Sequence, residues 1–422
     1  MSRYKKVDVD YTSSRVPQEG RKSNISMFMV MLGFTFFSAS MWAGQNLAAG
    51  LNFGQFIAAL LLGGVILGAY TGSLGYIGAK TGLTLDMLAH RSFGRIGSWL
   101  PSAMISFTQI GWFGVGLAMF AIPVAKEFLG LEVTPDNMPY QGYILVAIAG
   151  LLMTASAFFG IKSLAIVSWV AVPMVGILGT VAMIMALQRG DATMAQQFNS
   201  VNDGSLTIIA GAGLVIGSFV SGGTATPNFA RFSKTAKIGC IVTVVAFFLG
   251  NSLMFFFGAV SSIYVGGNDI FEVMLNLNQI MFYLSVLVLG LNIWTTNDNA
   301  LYSSGLGLRN ITGFSKRTMV FLAGLIGTVS AVWLYWNFCG WLNILNCTLP
   351  PIGAILIVSY ITNRNEYMTD DVEIKNVNWA SVIGVVLGAV VANLVHWGIA
   401  SINGMVVAVI CYLAGNAISR KK

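Results

Sequence analysis

An all-α integral membrane protein of about twelve transmembrane helices is the fold this sequence predicts, and three observations predict it. Hydrophobic residues make up 56% of the 422-residue chain and charged residues only 9%. Soluble domains carry about 25% charged residues. About twelve apolar runs reach the roughly 20 residues that a span needs, and the loops between them leave no room for a soluble domain. The basic residues alternate along the chain. Of 23 Lys and Arg, all but Lys126 and Arg189 fall in the N-terminal stretch, after every second span, or at the C-terminal end. The positive-inside rule makes that side cytoplasmic and places both termini there.

This placement explains the net charge of +7 without invoking nucleic acid. The first twenty-odd residues are polar and basic, so no cleavable signal peptide is expected. Cys240, Cys339, Cys347 and Cys411 lie in or near spans without a CxxC pattern and read as small packing residues. His90 and His396 are far apart. Neither a metal cluster nor the convergent His, Cys or paired carboxylates of a membrane enzyme is expected.

The first span is predicted over Ser26–Ala49. Gly33, Ser38, Ser40 and Gly44 interrupt its apolar run, which marks either close helix contact or a break. The second covers Phe53–Ala79. The loop after it is expected to carry a short interfacial helix on which Asp86 and His90, four residues apart, form a solvated pair. The third covers Gly97–Ala125, with Gln109 and Trp112 on one face. An amide there needs a partner inside the bilayer, and Trp112 suits a pocket wall as well as it suits packing. The fourth (Tyr140–Gly160) and fifth (Ser163–Leu187, kinked at Pro173) read as scaffold.

The sixth span begins near Leu206. Gly211, Gly213 and Gly217 suit helix packing, because no βαβ context supports a dinucleotide loop. Between Gly217 and Pro227 the chain packs Ser218, Ser221, Gly222, Gly223, Thr224 and Thr226, a composition that predicts a broken helix. The seventh covers Lys237–Ser262. The eighth, Asn278–Gly307, contains GLNIWTTNDNALYSSGLG, the most polar run inside any span. Asn292, Thr295, Thr296, Asn299 and Ser303 share one helical face there, while Asn297 and Asp298 lie off it. Unpaired polar groups in hydrocarbon cost several kcal/mol, so this cluster is a functional-site hypothesis. The ninth to twelfth spans are predicted over Thr318–Leu334, Phe338–Ile361, Trp379–Ile399 and Gly404–Ile418.

The first and sixth spans are both interrupted and lie five spans apart. Interrupted helices at matching places in two halves point to a transporter site. An odd offset makes the two units inverted. The expected organisation is a first repeat over 25–188, a second over 205–362, an appended helix pair over 377–418, and cytoplasmic tails at 1–24 and 419–422. The eighth span then corresponds to the third, and both lie against the breaks.

GFTFFSASMW, GYIGAKTGLT, GSWLPS, TQIGWFGVGLAMFAIPV, FFLGNSLMF and LGLNIWTTNDNALYSSGLG together resemble the bacterial cytosine permeases of the nucleobase:cation symporter-1 family. The resemblance runs from about Met27 through the twelfth span, with a longer loop at Lys126–Gln141. It implies a LeuT-type five-plus-five inverted repeat with helices 1 and 6 discontinuous. It also implies a secondary active transporter, not an enzyme, that imports cytosine by sodium symport and alternating access. By that resemblance Trp112 and Phe219 stack the base, and Gln109, Ser218, Ser221, the Gly222 backbone and Asn297 surround it. The sodium ligands it implies are the carbonyls of Gly33, Phe36 and Asn292 with the hydroxyls of Thr295 and Thr296. No cofactor is implied beyond that ion. Function as a monomer among lipids of the bacterial inner membrane is expected, with no nucleic-acid partner. The alternative is a proton-coupled symporter of cytosine, a related purine or pyrimidine base, or a hydantoin-like solute. Asp298, the only acid predicted within a span, suits either proton coupling or a structural hydrogen bond.

Overall fold

The structure is a computed structural model that describes residues 10–158, 161–267 and 269–420. Arg3, Lys5, Lys6, Lys421 and Lys422 lie outside the described residues, as do the side chains of Lys162, Cys339 and Arg420. The architecture is all-helical. Nine helices among the described residues are long and apolar enough to cross a membrane, and ten if the bent pair at the N-terminal end is one span. The other two predicted spans are the shorter apolar helices Ile208–Thr224 and Trp379–Leu394.

The first span is two helices, Asn24–Thr35 and Ser38–Gly50, bent by 50°. Ser23 caps its start, and Phe36 and Phe37 between the halves are extended. The composition of this stretch left packing and breakage open; the backbone breaks. The second span, Phe53–Thr81, opens on a reciprocal cap between Asn52 and Gln55. The third is Trp99–Leu129, the fourth Tyr140–Ala157 and the fifth Ile161–Leu187.

The break in the sixth span falls inside the expected stretch, at its C-terminal end. The helix Ile208–Thr224 runs unbroken through Gly217–Gly223. The interruption is a tight turn at Ala225 and Thr226, after which Pro227 starts the short helix Pro227–Ala230. Ser218 and Thr224 bond back to the carbonyls of Val215 and Val220 and remain within the helix. Pro227 sits at a first-turn position, where its missing N–H does no harm. The composition therefore marked the region but not the residues that leave the helix.

The seventh span carries a π-helical segment, Val245–Gly250, between Ala236–Val244 and Asn251–Val265. The eighth is Gln279–Thr312, the ninth Lys316–Trp336, the tenth Phe338–Thr348 with Pro350–Thr362, the eleventh Trp379–Leu394 and the twelfth Ala400–Arg420. The second span packs on the sixth as the seventh packs on the first, the fifth on the first as the tenth on the sixth, and the ninth on the third as the fourth on the eighth. This exchange of partners is the contact pattern of a five-plus-five repeat.

One face of the bundle gathers the basic loops. Residues 10–22, expected as a plain tail, lace it together. The buried Arg231 guanidinium donates to the carbonyls of Asp10 (2.6 Å) and Tyr11 (2.8 Å) and to the Tyr302 hydroxyl (3.1 Å). Lys316 pairs with Asp10 and lies over the Tyr302 ring. Arg15 reaches the carbonyls of Thr81 and Tyr367 and pairs with Asp370, and Arg21 reaches those of Ala79 and Ser233.

The interfacial helix is present as Leu85–Phe93, but Asp86 and His90 do not form a solvated pair. Asp86 is buried and accepts from Ser102 at 2.5 Å, while His90 bonds Asn310 at 2.7 Å. The helix lies against the ends of the third and eighth spans, so its side chains find partners there before each other. Burial pushes the Asp86 carboxyl up to about 6, against opposing help from the Ser102 hydroxyl and the positive charge of Arg231.

Candidate functional site

The break in the first span frees carbonyls at the end of a helix: the Phe36 N–H still returns to the Leu32 carbonyl, and from extended Phe37 the chain leaves the helix. Asn292 of the eighth span bridges that break. Its Nδ2 donates to the Phe36 carbonyl, and its Oδ1 accepts from the Ser38 amide at 3.2 Å. Thr295 Oγ1 lies 3.0 Å from the Gly33 carbonyl and 2.7 Å from the Asn292 carbonyl. Thr296 Oγ1 lies 3.5 Å from the Gly33 carbonyl. The residues proposed to hold a cation are thus linked pairwise, with the Gly33 carbonyl shared by both threonines and the Phe36 carbonyl met by the Asn292 side chain.

Those oxygens have a surplus of lone pairs. Two hydroxyl protons face three hydroxyl–carbonyl contacts, so at least one contact lacks a proton. A small hard cation satisfies such a set of neutral oxygens, with the hydroxyls turning their lone pairs inward. Gly33 is required by close approach: a Cβ there would lie 2.5 Å from Ser168 Oγ of the fifth span.

Beside this cluster Trp112 and Phe219 face each other with ring centroids 6.5 Å apart and planes within 10°. A flat ring between two aromatic faces needs about 7 Å, two carbon–carbon contacts of about 3.5 Å. The pair is parallel, and its centroid separation falls at least half an ångström short of that, so the rings must part to admit one. Phe37 stands edge-on to both, 5.8 Å from Trp112 and 6.4 Å from Phe219. The cavity between them is small, about 10 Å³, and is lined by Phe34, Phe37, Gln109, Trp112, Phe219, Gly222, Thr296 and Ala300. Larger clefts, such as that around Lys375, His90 and Asn416, open on the basic face away from these groups.

Polar groups on this wall are few and specific. Gln109 donates Nε2–H to Ser221 Oγ at 2.8 Å, and its buried Oε1 has no partner among the described residues. Ser221 Oγ also lies 2.7 Å from Thr108 Oγ1. Ser218 sits one turn back and accepts from Asn251 Nδ2 at 3.1 Å, while Asn251 Oδ1 accepts from Ser40 at 2.7 Å. Asn297 points elsewhere: its Nδ2 lies 3.2 Å from both the Phe113 carbonyl and Met153 Sδ, and its buried Oδ1 has no partner among the described residues. Of the residues proposed around the base, Gln109, Trp112, Phe219 and Gly222 line the cavity. Ser221 braces it, and Ser218 and Asn297 lie outside its lining.

Aromatic layers close the cavity on both sides. On one, Trp42 stacks on Phe338 at 4.7 Å and 6°, and Phe338 meets Trp112 edge-on at 5.9 Å. On the other, Phe34 packs on Phe229 at 5.3 Å and Phe229 on Tyr302 at 5.8 Å, down to buried Arg231. Phe34, Phe37, Thr108 and Asn251 were not singled out from the sequence. Phe34 and Phe37 belong to the GFTFFSASMW stretch that flagged the break. Nothing in the sequence separates Thr108 or Asn251 from ordinary packing residues. Asp298 hydrogen-bonds Ser156 at 2.6 Å, and the Trp294 indole donates to the same hydroxyl.

Residues 15–415 match the family described as permeases for cytosine/purines, uracil, thiamine and allantoin. The chain is 46% identical to the cytosine permease of Escherichia coli (strain K12) over 418 residues, 98% of this chain and 96% of that one. It is 24% identical to the hydantoin permease of Microbacterium maritypicum, over 79% of this chain and 73% of that one. Its fold is similar to that of Mhp1, a nucleobase-cation-symport-1 family transporter in a closed conformation with bromovinylhydantoin bound. The TM-score is 0.80 at 18% identity, covering 97% of this chain and 96% of Mhp1.

Proposed function

Because the chain belongs to the family of permeases for cytosine/purines, uracil, thiamine and allantoin, it is a multi-pass membrane transporter and not an enzyme, and we propose that it imports cytosine by sodium symport. One observation carries the reading: a parallel Trp112–Phe219 pair, spaced to part around one flat ring, stands beside a cluster of neutral oxygens suited to a small cation. The base stacks between the two faces, each contributing about 0.5–1.5 kcal/mol beyond area burial. Gln109, with a free acceptor and a second N–H, reads the ring edge, helped by Ser221 and the Gly222 backbone. Ser218 and Asn297 act on the base only after local rearrangement.

Sodium bound by Gly33, Phe36, Asn292, Thr295 and Thr296 ties the eighth span to the broken first span. Thr296 links the two sites, because it touches Gly33 and lines the cavity. Binding of the ion therefore firms the wall that the base meets. Alternating access follows if the aromatic layers on the two sides open in turn. The basic face is cytoplasmic in this reading, with both termini inside the bacterial inner membrane and a monomer as the working unit.

The test is uptake of radiolabelled cytosine by proteoliposomes with and without an inward sodium gradient. Sodium-driven uptake supports the proposal; uptake indifferent to sodium but driven by a pH gradient removes the sodium assignment. Proton coupling is the second reading, and one observation favours it. Asp298 is fully buried, bonds Ser156 through one oxygen and has no partner for the other among the described residues. Asp298→Asn abolishing uptake while sparing cytosine binding would support that reading.

A further inference from the structure

We propose that Thr108 determines which pyrimidine the site accepts, by fixing the direction of hydrogen bonding through Ser221 to Gln109. The inference rests on the cytosine reading above. Three contacts form an unbroken chain. Thr108 Oγ1 lies 2.9 Å from the Ile105 carbonyl and 2.7 Å from Ser221 Oγ, and Gln109 Nε2 lies 2.8 Å from the same Ser221 oxygen.

A carbonyl only accepts, so Thr108 gives its single proton to Ile105. Ser221 must then donate to Thr108. With its own proton committed, Ser221 can only accept from Gln109. One arrangement of protons makes all three bonds, and it turns the Gln109 carboxamide with nitrogen toward Ser221. Its Oε1 is left buried at the cavity wall with no partner among the described residues.

That orientation selects a base. Oε1 with the neighbouring N–H is an acceptor–donor pair. The cytosine edge offers a donor amino group beside the acceptor N3. Uracil reverses both, with a carbonyl at C4 and a proton on N3. A carboxamide turned over would suit uracil, but Ser221 then needs a proton that the relay has already assigned. Thr108 is 7% exposed, so bulk water does not replace its hydroxyl. Thr108 does not line the cavity and is a positioning residue acting through Ser221 and Gln109.

The test measures cytosine and uracil binding to the purified full-length protein for T108V, which is near-isosteric without the hydroxyl, and for T108S, which keeps it. In T108V the Ser221 proton is released to point at Gln109, and the amide is free to turn over. The preference for cytosine over uracil should then shrink by about tenfold, the scale of one buried hydrogen bond. T108S should keep the wild-type preference. S221A removes the middle link, should also lose preference, and decides the matter if T108V does not fold. An unchanged ratio of the two affinities, even with both weakened, overturns the relay. A wild-type protein that does not prefer cytosine overturns the reading beneath it, and that result is visible before any variant is made.

Discussion

Substitution of Gly222 by alanine tests the cavity directly. A Cβ at Gly222 would lie 2.6 Å from Phe34 Cζ, 2.8 Å from Phe34 Cε1 and 3.4 Å from Phe219 Cδ1. Carbon atoms in ordinary contact sit about 3.5–4.0 Å apart, so about 1 Å must be found. The Phe34 ring is 2% exposed. It is packed on Phe229 at 5.3 Å, on Phe219 at 5.8 Å and on Phe247 at 6.1 Å. The space that remains beside it is the cavity, so the ring moves there and occupies room the base needs. Overpacking of this kind costs about 1–3 kcal/mol. Charged against binding, it weakens affinity by about 5- to 150-fold. The assay is calorimetric titration of cytosine into purified protein with sodium present, with a melting curve to show that the variant is folded. Adding Phe34→Leu to Gly222→Ala removes the clashing ring edge and should recover most of the loss. Wild-type affinity in Gly222→Ala, or a double variant no better than the single, would falsify the reasoning.

Phe219→Leu keeps the wall apolar and removes one stacking face, so cytosine affinity should fall by about 2- to 13-fold, the range of a single aromatic contact. A larger loss of sodium affinity than of cytosine affinity would contradict that assignment. Thr295→Val removes a hydroxyl from the oxygen cluster while keeping its shape; the sodium concentration needed for half-maximal cytosine binding should rise by about tenfold or more, with cytosine affinity at saturating sodium little changed. Asp86 gives a pH signature. Its carboxyl is raised by burial from the usual 3.8 to about 6. Below pH 3.8 it is protonated both folded and unfolded. As pH rises through this interval the unfolded chain loses the proton first, so stability falls, and above pH 6 the full penalty of about 3 kcal/mol applies. Asp86→Asn should flatten this dependence and melt higher than wild type at pH 7.5, with the two converging near pH 4. Equal pH profiles would refute it.

What the amino-acid order determined alone is the class of molecule and the level of its candidate site. Apolar run length sets the number of crossings, because hydrocarbon thickness is fixed and unpaired backbone is excluded from it. Polar residues are expensive at that depth, so the run from Asn292 to Ser303 announced itself without any neighbour in view. The same physics made Gly33–Ser40 and Gly217–Pro227 conspicuous. It did not say where each helix yields, because Gly and Ser stay helical when side chains and neighbours satisfy the backbone, as Ser218 and Thr224 do. Tertiary structure decided which face each polar group presents. Asn292 spans the break with its amide as well as offering its carbonyl, Asn297 turns toward Phe113 and Met153, and Asp86 and His90 part to separate partners. Each of those outcomes depends on residues tens to hundreds of positions away, and local spacing carries no record of them. The parallel approach of Trp112 and Phe219, from spans separated by more than a hundred residues, is of the same kind. Periodicity orients a side chain on its own helix; only the packing of helices sets the gap between two rings.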